Sequence, residues 1–190
     1  MSGNKKVEYM KGIFCKLVGV CCLALLFAAS ASAQEYDVVP GQRIGWIEIG
    51  MSRQTVQGKL GKPSGTYSLP DRGYRGDYWY SSDNSNTLRV FYNGAGRVYQ
   101  ISVTSPRFNT PEGLNSRSGL NDIRRAYKNL KVLRVTARGD IDYYYDSRRG
   151  IAFEVTDQMD AHAPPVMRLY AILVFRPGGS PQPEPDEHFR

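Results

Sequence analysis

The stretch Arg97-Val-Tyr-Gln-Ile-Ser-Val-Thr-Ser-Pro106 returns later in the chain as Arg168-Leu-Tyr-Ala-Ile-Leu-Val-Phe-Arg-Pro177. At an offset of 71 residues, Arg, Tyr, Ile, Val and Pro recur in register, and Leu169 takes the place of Val98. Both copies are rich in β-branched and aromatic residues. Both stop at a proline, which lacks the N–H that a continuing ladder requires. Each is predicted to be the closing strand of a unit, so the chain reads as one motif written twice.

Outward from Arg97 the pattern holds. Asn93-Gly-Ala-Gly96 is a hairpin turn between strands predicted at Thr87–Tyr92 and Arg97–Thr104. Upstream lie a short strand at Gly65–Leu69, a turn at Pro70-Asp-Arg-Gly73, a strand at Tyr74–Ser81 and the polar loop Ser82–Asn86. Ser52 is placed to cap a helix whose apolar stripe is Val56 and Leu60, ended by Gly61 and Pro63. Gly41–Gly50 is an apolar-alternating lead-in. Beyond Thr110-Pro-Glu-Gly113, Ser118 is the next candidate cap, before Leu120, Ile123 and Tyr127 at helical spacing. Asp122 comes early and Arg124, Arg125 and Lys128 late, the order a helix macrodipole favours. Asn129 stands where Gly61 stood. Strands follow at Lys131–Thr136, Ile141–Tyr145, Ile151–Val155 and Met167–Phe175.

At an offset of 67, Leu114, Ile123 and Tyr127 fall on Ile47, Val56 and Leu60; at 65, Tyr143–Tyr145 fall on Tyr78–Tyr80. Such shifts place insertions in loops, where they cost little. The expected fold is α+β: a tandem repeat of a short helix plus a three- to four-stranded antiparallel sheet, helices on one sheet face. Residues 34–109 form the first unit and 110–177 the second.

The ends read differently. Lys5, Lys6, Lys11 and Lys16, an apolar run from Leu17 to Ala28, and Ala31-Ser-Ala33 make a signal peptide of residues 1–33, cleaved between Ala33 and Gln34. A lipoprotein signal is the weaker rival, because Val20 and Cys21 suit poorly the positions before a lipidated cysteine and the apolar run continues past it. A retained anchor is the other alternative. All three cysteines depart with this leader, so the remaining chain has neither disulfide nor thiolate chemistry. Four lysines and Glu8 depart too, lowering the formal charge from +7 to +4. Residues 178–190, with three prolines and clustered acids, are expected to be a disordered tail. The expected location is periplasmic or secreted, with no stable membrane span after cleavage.

The segment Ile47-Glu-Ile-Gly-Met-Ser52, with Val56 and Leu60-Gly-Lys-Pro63, followed by aromatic strands and a small hairpin, resembles a helix-plus-sheet superfamily. Its members include outer-membrane assembly lipoproteins of the BamE (SmpA/OmlA) type and tandem-repeat β-lactamase-inhibitory proteins. The resemblance implies helices packed on one face of an antiparallel sheet, with two units end to end as in the inhibitors. The chain departs from these groups in lacking a lipobox and in lacking disulfide cysteines; no binding residue carries over.

Catalytic chemistry finds little purchase. His162, in Asp160-Ala-His-Ala-Pro-Pro165, could act as a general base with Asp160 or Asp157; a solvated loop histidine is the better reading, and His188 lies in the tail. A hydrolase using His162 is therefore the remote alternative, and no enzyme activity is expected. Asp140, Asp142 and Asp146 could cluster oxygens but lack a calcium-loop pattern, so no metal and no cofactor is expected. Export and modest charge argue against nucleic acid.

Aromatic residues are the compositional excess: of 13 tyrosines only Tyr9 is in the leader, and both tryptophans lie beyond it. By the two-residue period, Tyr78 and Tyr80 share a face opposite Trp79, and Tyr143 and Tyr145 oppose Tyr144. On a sheet whose second face is open, Tyr74, Tyr78, Tyr80, Arg89, Tyr143, Tyr145 and Arg148 would form a rigid binding surface, bordered also by Arg72, Arg75 and Arg149. The competing reading makes these rings core and cross-strand pairs. The expected function is a non-enzymatic binding or inhibitory module of the envelope, recognising a protein or glycan partner. An envelope assembly or structural factor is the alternative.

Overall fold

A computed structural model describes residues 34–69, 74–135, 141–158 and 166–183. Elements are numbered in chain order. A 3-10 turn, Gln34–Tyr36, leads into three two-residue strands, β1 (Val38–Val39), β2 (Arg43–Ile44) and β3 (Ile47–Glu48), which pair antiparallel as a small sheet. Helix α1 (Arg53–Leu60) precedes β4 (Gly65–Leu69), β5 (Tyr74–Tyr80), β6 (Thr87–Tyr92) and β7 (Val98–Val103). Helix α2 (Leu120–Ala126) precedes β8 (Lys131–Val135), β9 (Ile141–Asp146), β10 (Ile151–Gln158) and β11 (Val166–Phe175).

The fold is α+β, with these two α-helices among the described residues and a second sheet of eight antiparallel strands in the order β4-β5-β6-β7-β11-β10-β9-β8. Each run of four consecutive strands pairs in chain order, and the two runs meet through their last strands. That seam runs from Val103 opposite Ile172 to Gln100 opposite Phe175.

Both helices are too short to persist alone and survive by packing. Ser52 caps α1, its Oγ accepting from the Thr55 N–H at 3.1 Å, and Gly61 ends it at φ +78 with its N–H donating to Gln57 O at 2.8 Å. The second cap is one residue later than expected: Gly119 occupies it, and the Asp122 carboxylate accepts its N–H at 3.1 Å. Tyr127, not Asn129, is the C-terminal cap, because its ring turns inward to sit 4.9 Å from that of Phe153. Val56 and Ile123, both wholly buried, press on Val90, Ile101, Val103, Phe153, Ile172 and Val174, a single core spanning both runs of strands.

Two expectations change. The lead-in before α1 is itself a small sheet, whose Val38, Ile44 and Ile47 join that core. The segment beyond Pro177 is not wholly outside the fold: Gly178 N–H donates to Ser147 O at 2.8 Å, Ser147 Oγ donates to Gly179 O at 2.6 Å, and Pro181 is buried. The expected leader, the turn at 70–73, the histidine loop around His162 and the tail from 184 onward lie outside the described residues.

Candidate functional site

Alternation along the strands behaves as the two-residue period requires. Trp79 and Tyr144 pack with the helix-side core, while Tyr143 and Tyr145 belong to a second cluster on the other face with Ala152, Ala171, Leu173 and Phe175. Tyr78 and Tyr80 lie together, their ring centroids 5.2 Å apart edge to face. Tyr80 is 46% exposed and Tyr78 half-buried. Tyr74 opens β5 opposite Leu69, and its side chain is outside the described residues.

The predicted surface is not one continuous site. Tyr143 is only 2% exposed and serves as core, and Tyr145 packs against Phe175 at 6.5 Å. Five strand spacings, about 24 Å, separate β5 from β9, so the two tyrosine groups cannot engage one small ligand. Arg89 is 7% exposed and lies within the face rather than on its border. Arg148 is exposed in the β9–β10 turn, and Arg149 belongs to the helix side, its guanidinium 4.4 Å over the Tyr127 ring. The non-helical face is also not fully open. Gln182 is held on the buried Gln100 by two bonds, Gln100 Nε2 to Gln182 O at 3.0 Å and Gln182 N to Gln100 Oε1 at 2.8 Å.

Next to Tyr80 lies an accessible groove of about 340 Å³ at the end of β5, β6 and β7. Trp79, Leu88 and Val103 form its floor, and Tyr36 and Phe108, 5.5 Å apart edge to face, line it as well. Tyr36 and Phe108 come from segments brought together by the bridge of Asp37 to Asn109. Trp79 is fixed by its Nε1–H, which donates to Gly61 O at 3.3 Å. Tyr80 joins the groove to the Tyr78 patch.

The polar rim is also built. In the 81–86 loop, the Asp83 carboxylate accepts from the Ser81 hydroxyl and from the Ser85 N–H, and Asn84 adopts φ +55. These bonds, the one from Ser81 foremost, hold the Asp83 carboxyl down at about 2, so the rim carries a fixed negative charge at any higher pH. Asn86 and Arg107 complete it. Aromatic rings beside fixed polar groups suit a sugar ring or an aromatic side chain of a partner.

Other charged clusters serve the fold. Asp77, fully buried, accepts from Arg53 Nε and Nη2 at 2.9 and 2.6 Å and from Gln57 Nε2 at 2.9 Å, which latches α1 to β5. Burial would raise the Glu112 carboxyl, but bonds from Tyr127 Oη, at 2.6 Å, and from Arg149 outweigh it and leave the group below its ordinary value. Of the candidate metal oxygens, Asp142 accepts two bonds from Arg134 and Asp146 accepts from the Arg148 and Arg149 N–H groups. Among the described residues no three metal-ligating side chains converge, and no helix is long and apolar enough to cross a membrane.

No protein-family model and no curated protein matches the chain. Solved structures do. A DUF4309 family protein (YjgB) from Bacillus subtilis aligns at TM-score 0.51 and 13% identity, over 72% of this chain and 88% of that one. The uncharacterized protein yfeY from Escherichia coli aligns at TM-score 0.51 and 16% identity, over 73% of this chain and 99% of that one. The likeness is one of fold. An extracellular SCP-domain protein from Bacillus anthracis aligns at a TM-score of only 0.43 over 44% of its length.

Proposed function

We propose that the chain is an exported, non-enzymatic binding module of the cell envelope, built from two fused helix-and-sheet units. Its contact surface is the Tyr78–Tyr80 patch together with the aromatic groove beside it. The groove carries this reading: Tyr36, Trp79 and Phe108 line one depression, beside a rim whose Asp83 charge is fixed by its own loop. The substrate class that fits is a glycan ring or an aromatic-bearing protein segment.

The two-unit part of the reading is supported by paired details. The cap of α1 bridges Ser52 to Arg97, and the cap of α2 bridges Gly119 to Arg168. Those arginines are the ones that recur at the offset of 71 in the sequence. The Ile47–Pro63 segment, which resembles the BamE-type unit, supplies α1, and on that likeness an envelope assembly factor is the second reading.

The test uses residues 34–190 incubated with insoluble peptidoglycan and, separately, with solubilised envelope proteins, beside Tyr80→Ala and Phe108→Ala. Binding module status predicts retention on one of these that both variants reduce by about tenfold, a loss of ~1.4 kcal/mol. Retention unchanged in both variants, or absent throughout, would sink the groove. Loss of outer-membrane protein levels on deletion, with no retention, would favour the assembly reading.

A further inference from the structure

We propose that the groove beside Tyr80 takes a glycan whose sugar ring carries a carboxylate, with the hydroxyl edge of that ring on Asp83 and its acid on Arg107. The assignment rests on the groove being the contact surface of the protein. The floor of the groove is one register row: Trp79 on β5 stands opposite Leu88 on β6, and Leu88 opposite Val103 on β7. That row covers two strand spacings, about 10 Å, enough for one sugar ring and the start of the next. Tyr36 and Phe108 add their rings to the lining, so the carbon-bound hydrogens of a sugar face meet aromatic and aliphatic carbon.

Opposite charges line this row without meeting. Asp83 lies in the loop from β5 to β6 and Arg107 in the segment that leaves β7, which sets them towards opposite ends of the row. Both are exposed, and among the described residues they form no ion pair with each other. The Ser81 hydroxyl and the Ser85 N–H both donate to Asp83 Oδ1, and a carboxylate has further lone pairs for the hydroxyls of a ligand. The Arg107 backbone is fixed, its N–H donating to Ser105 Oγ at 3.4 Å and its carbonyl accepting from Asn109 Nδ2 at 2.8 Å. Its guanidinium donates to nothing among the described residues.

This rim discriminates between ligand classes. An aromatic side chain of a partner protein would satisfy the rings, but it would strip water from Asp83 and Arg107 while returning no donor to the one and no acceptor to the other. A neutral sugar serves Asp83 with its hydroxyls and leaves Arg107 unanswered. A uronic acid, or a sugar of comparable chemistry, serves both. Its carboxylate and its vicinal hydroxyls project from opposite ends of the ring, as the two rim charges do from the row. The guanidinium then takes the carboxylate in a two-bond, charge-assisted pair.

With Trp46→Phe in the full chain, Trp79 is the sole tryptophan, so fluorescence reports on the groove directly. Oligomers of galacturonate, mannuronate and glucuronate are titrated against it, each beside its methyl ester, together with a tyrosine-bearing peptide that lacks tryptophan. At least one acid should shift the emission and bind about tenfold tighter than its ester, and rising salt should narrow that gap. Arg107→Gln should bring acid and ester to within about twofold of each other, and Asp83→Asn should weaken both, with circular dichroism unchanged in each variant. Equal binding of acid and ester, lowered in both by Tyr80→Ala, would overturn the carboxylate and leave the groove standing as the contact surface. Tighter binding of the peptide than of any sugar would do the same. The assignment also fails if no sugar moves the emission, or if the emission shifts with protein concentration alone, as a second copy seated in the groove would make it do. Whether the groove falls with it is then read from envelope retention of Tyr80→Ala and Phe108→Ala.

Discussion

Asp77 carries a full charge into the core, and three bonds from α1 make that tolerable. Removing Arg53 leaves a buried carboxylate with one amide partner, an arrangement that costs about 3 kcal/mol, the low end for a broken buried pair because Arg53 itself is one-third open. Urea unfolding should report that loss for Arg53→Ala and about 1 kcal/mol for Gln57→Ala, whose bond is neutral-to-charged and replaceable by water. A loss under about 0.5 kcal/mol for Arg53→Ala would show that the latch is ornamental. Glu112 makes a pH prediction. Its carboxyl is held below the ordinary value in the folded chain, so unfolding takes up protons, and the stability it adds is complete above the ordinary carboxyl range and disappears as pH falls through the folded value. Glu112→Gln should therefore flatten the acid limb of a stability–pH curve while changing stability near neutrality in one direction only, downward. Neither cluster was legible beforehand. Asp77 reads in sequence as part of an aromatic strand, and its partner lies 24 residues upstream on a helix. The groove was half legible: period two put Tyr78 and Tyr80 on one face, but Tyr36 and Phe108 meet only because Asp37 and Asn109 form a bridge.

Elements here depend on a few backbone positions more than on propensity. Gly150, the turn residue just before β10, adopts φ +72, and a Cβ on it would stand 2.3 Å from Phe175 O and 2.8 Å from Gly41 Cα. Gly96, in the β6–β7 hairpin, adopts φ +69 with nothing within 4 Å. Both substitutions to alanine incur the left-handed penalty, about 1 kcal/mol. Only Gly150→Ala also drives backbone against backbone, which cannot move aside as a side-chain tip can. Thermal or urea unfolding should place Gly96→Ala about 1 kcal/mol below the parent and Gly150→Ala about 3 kcal/mol or more below it; equal losses would refute the crowding. The sequence marks both as turn glycines by composition and cannot rank them, because the obstructing carbonyl belongs to a strand end 25 residues away. The same limit explains the lead-in. Strands of two residues such as β1, β2 and β3 are too short to display an alternation, whereas the eight strands of the large sheet declare themselves by β-branched and aromatic runs between turns. The second helix was placed correctly but capped one residue early, since Ser118 looks like a cap and Gly119 does not, although Asp122 performs the capping from within the first turn.

For the molecule as a whole, the repeated strand leads to an expectation of two units and says nothing about which edges join; the chain forms one sheet of two four-strand runs. The join decides the energetics. Because β7 and β11 pair with each other, the final strand of each run is interior and the sheet has edges only at β4 and β8. Separating the runs would open Ile101, Val103, Ile172 and Val174, each at most 2% exposed. At about 1.5–3 kcal/mol for each aliphatic side chain, their burial is comparable to the whole stability of an ordinary domain. Neither run should then be stable by itself, whatever its sequence likeness to the other. Residues 34–183 are expected to unfold in one cooperative transition, with circular dichroism and tryptophan fluorescence coincident in urea. Residues 34–109 alone should be unfolded, or should self-associate through the exposed β7 edge on size-exclusion chromatography. Mixing them with residues 110–183 should restore a folded 1:1 complex, because the seam supplies hydrogen bonds and apolar cover together. A monomeric 34–109 fragment with its own cooperative transition, close in stability to the intact chain, would mean that the seam is a contact between finished domains. The continuous core running from Val56 beneath the sheet to Ile123 argues otherwise, since a finished domain would have closed its apolar face before reaching β7.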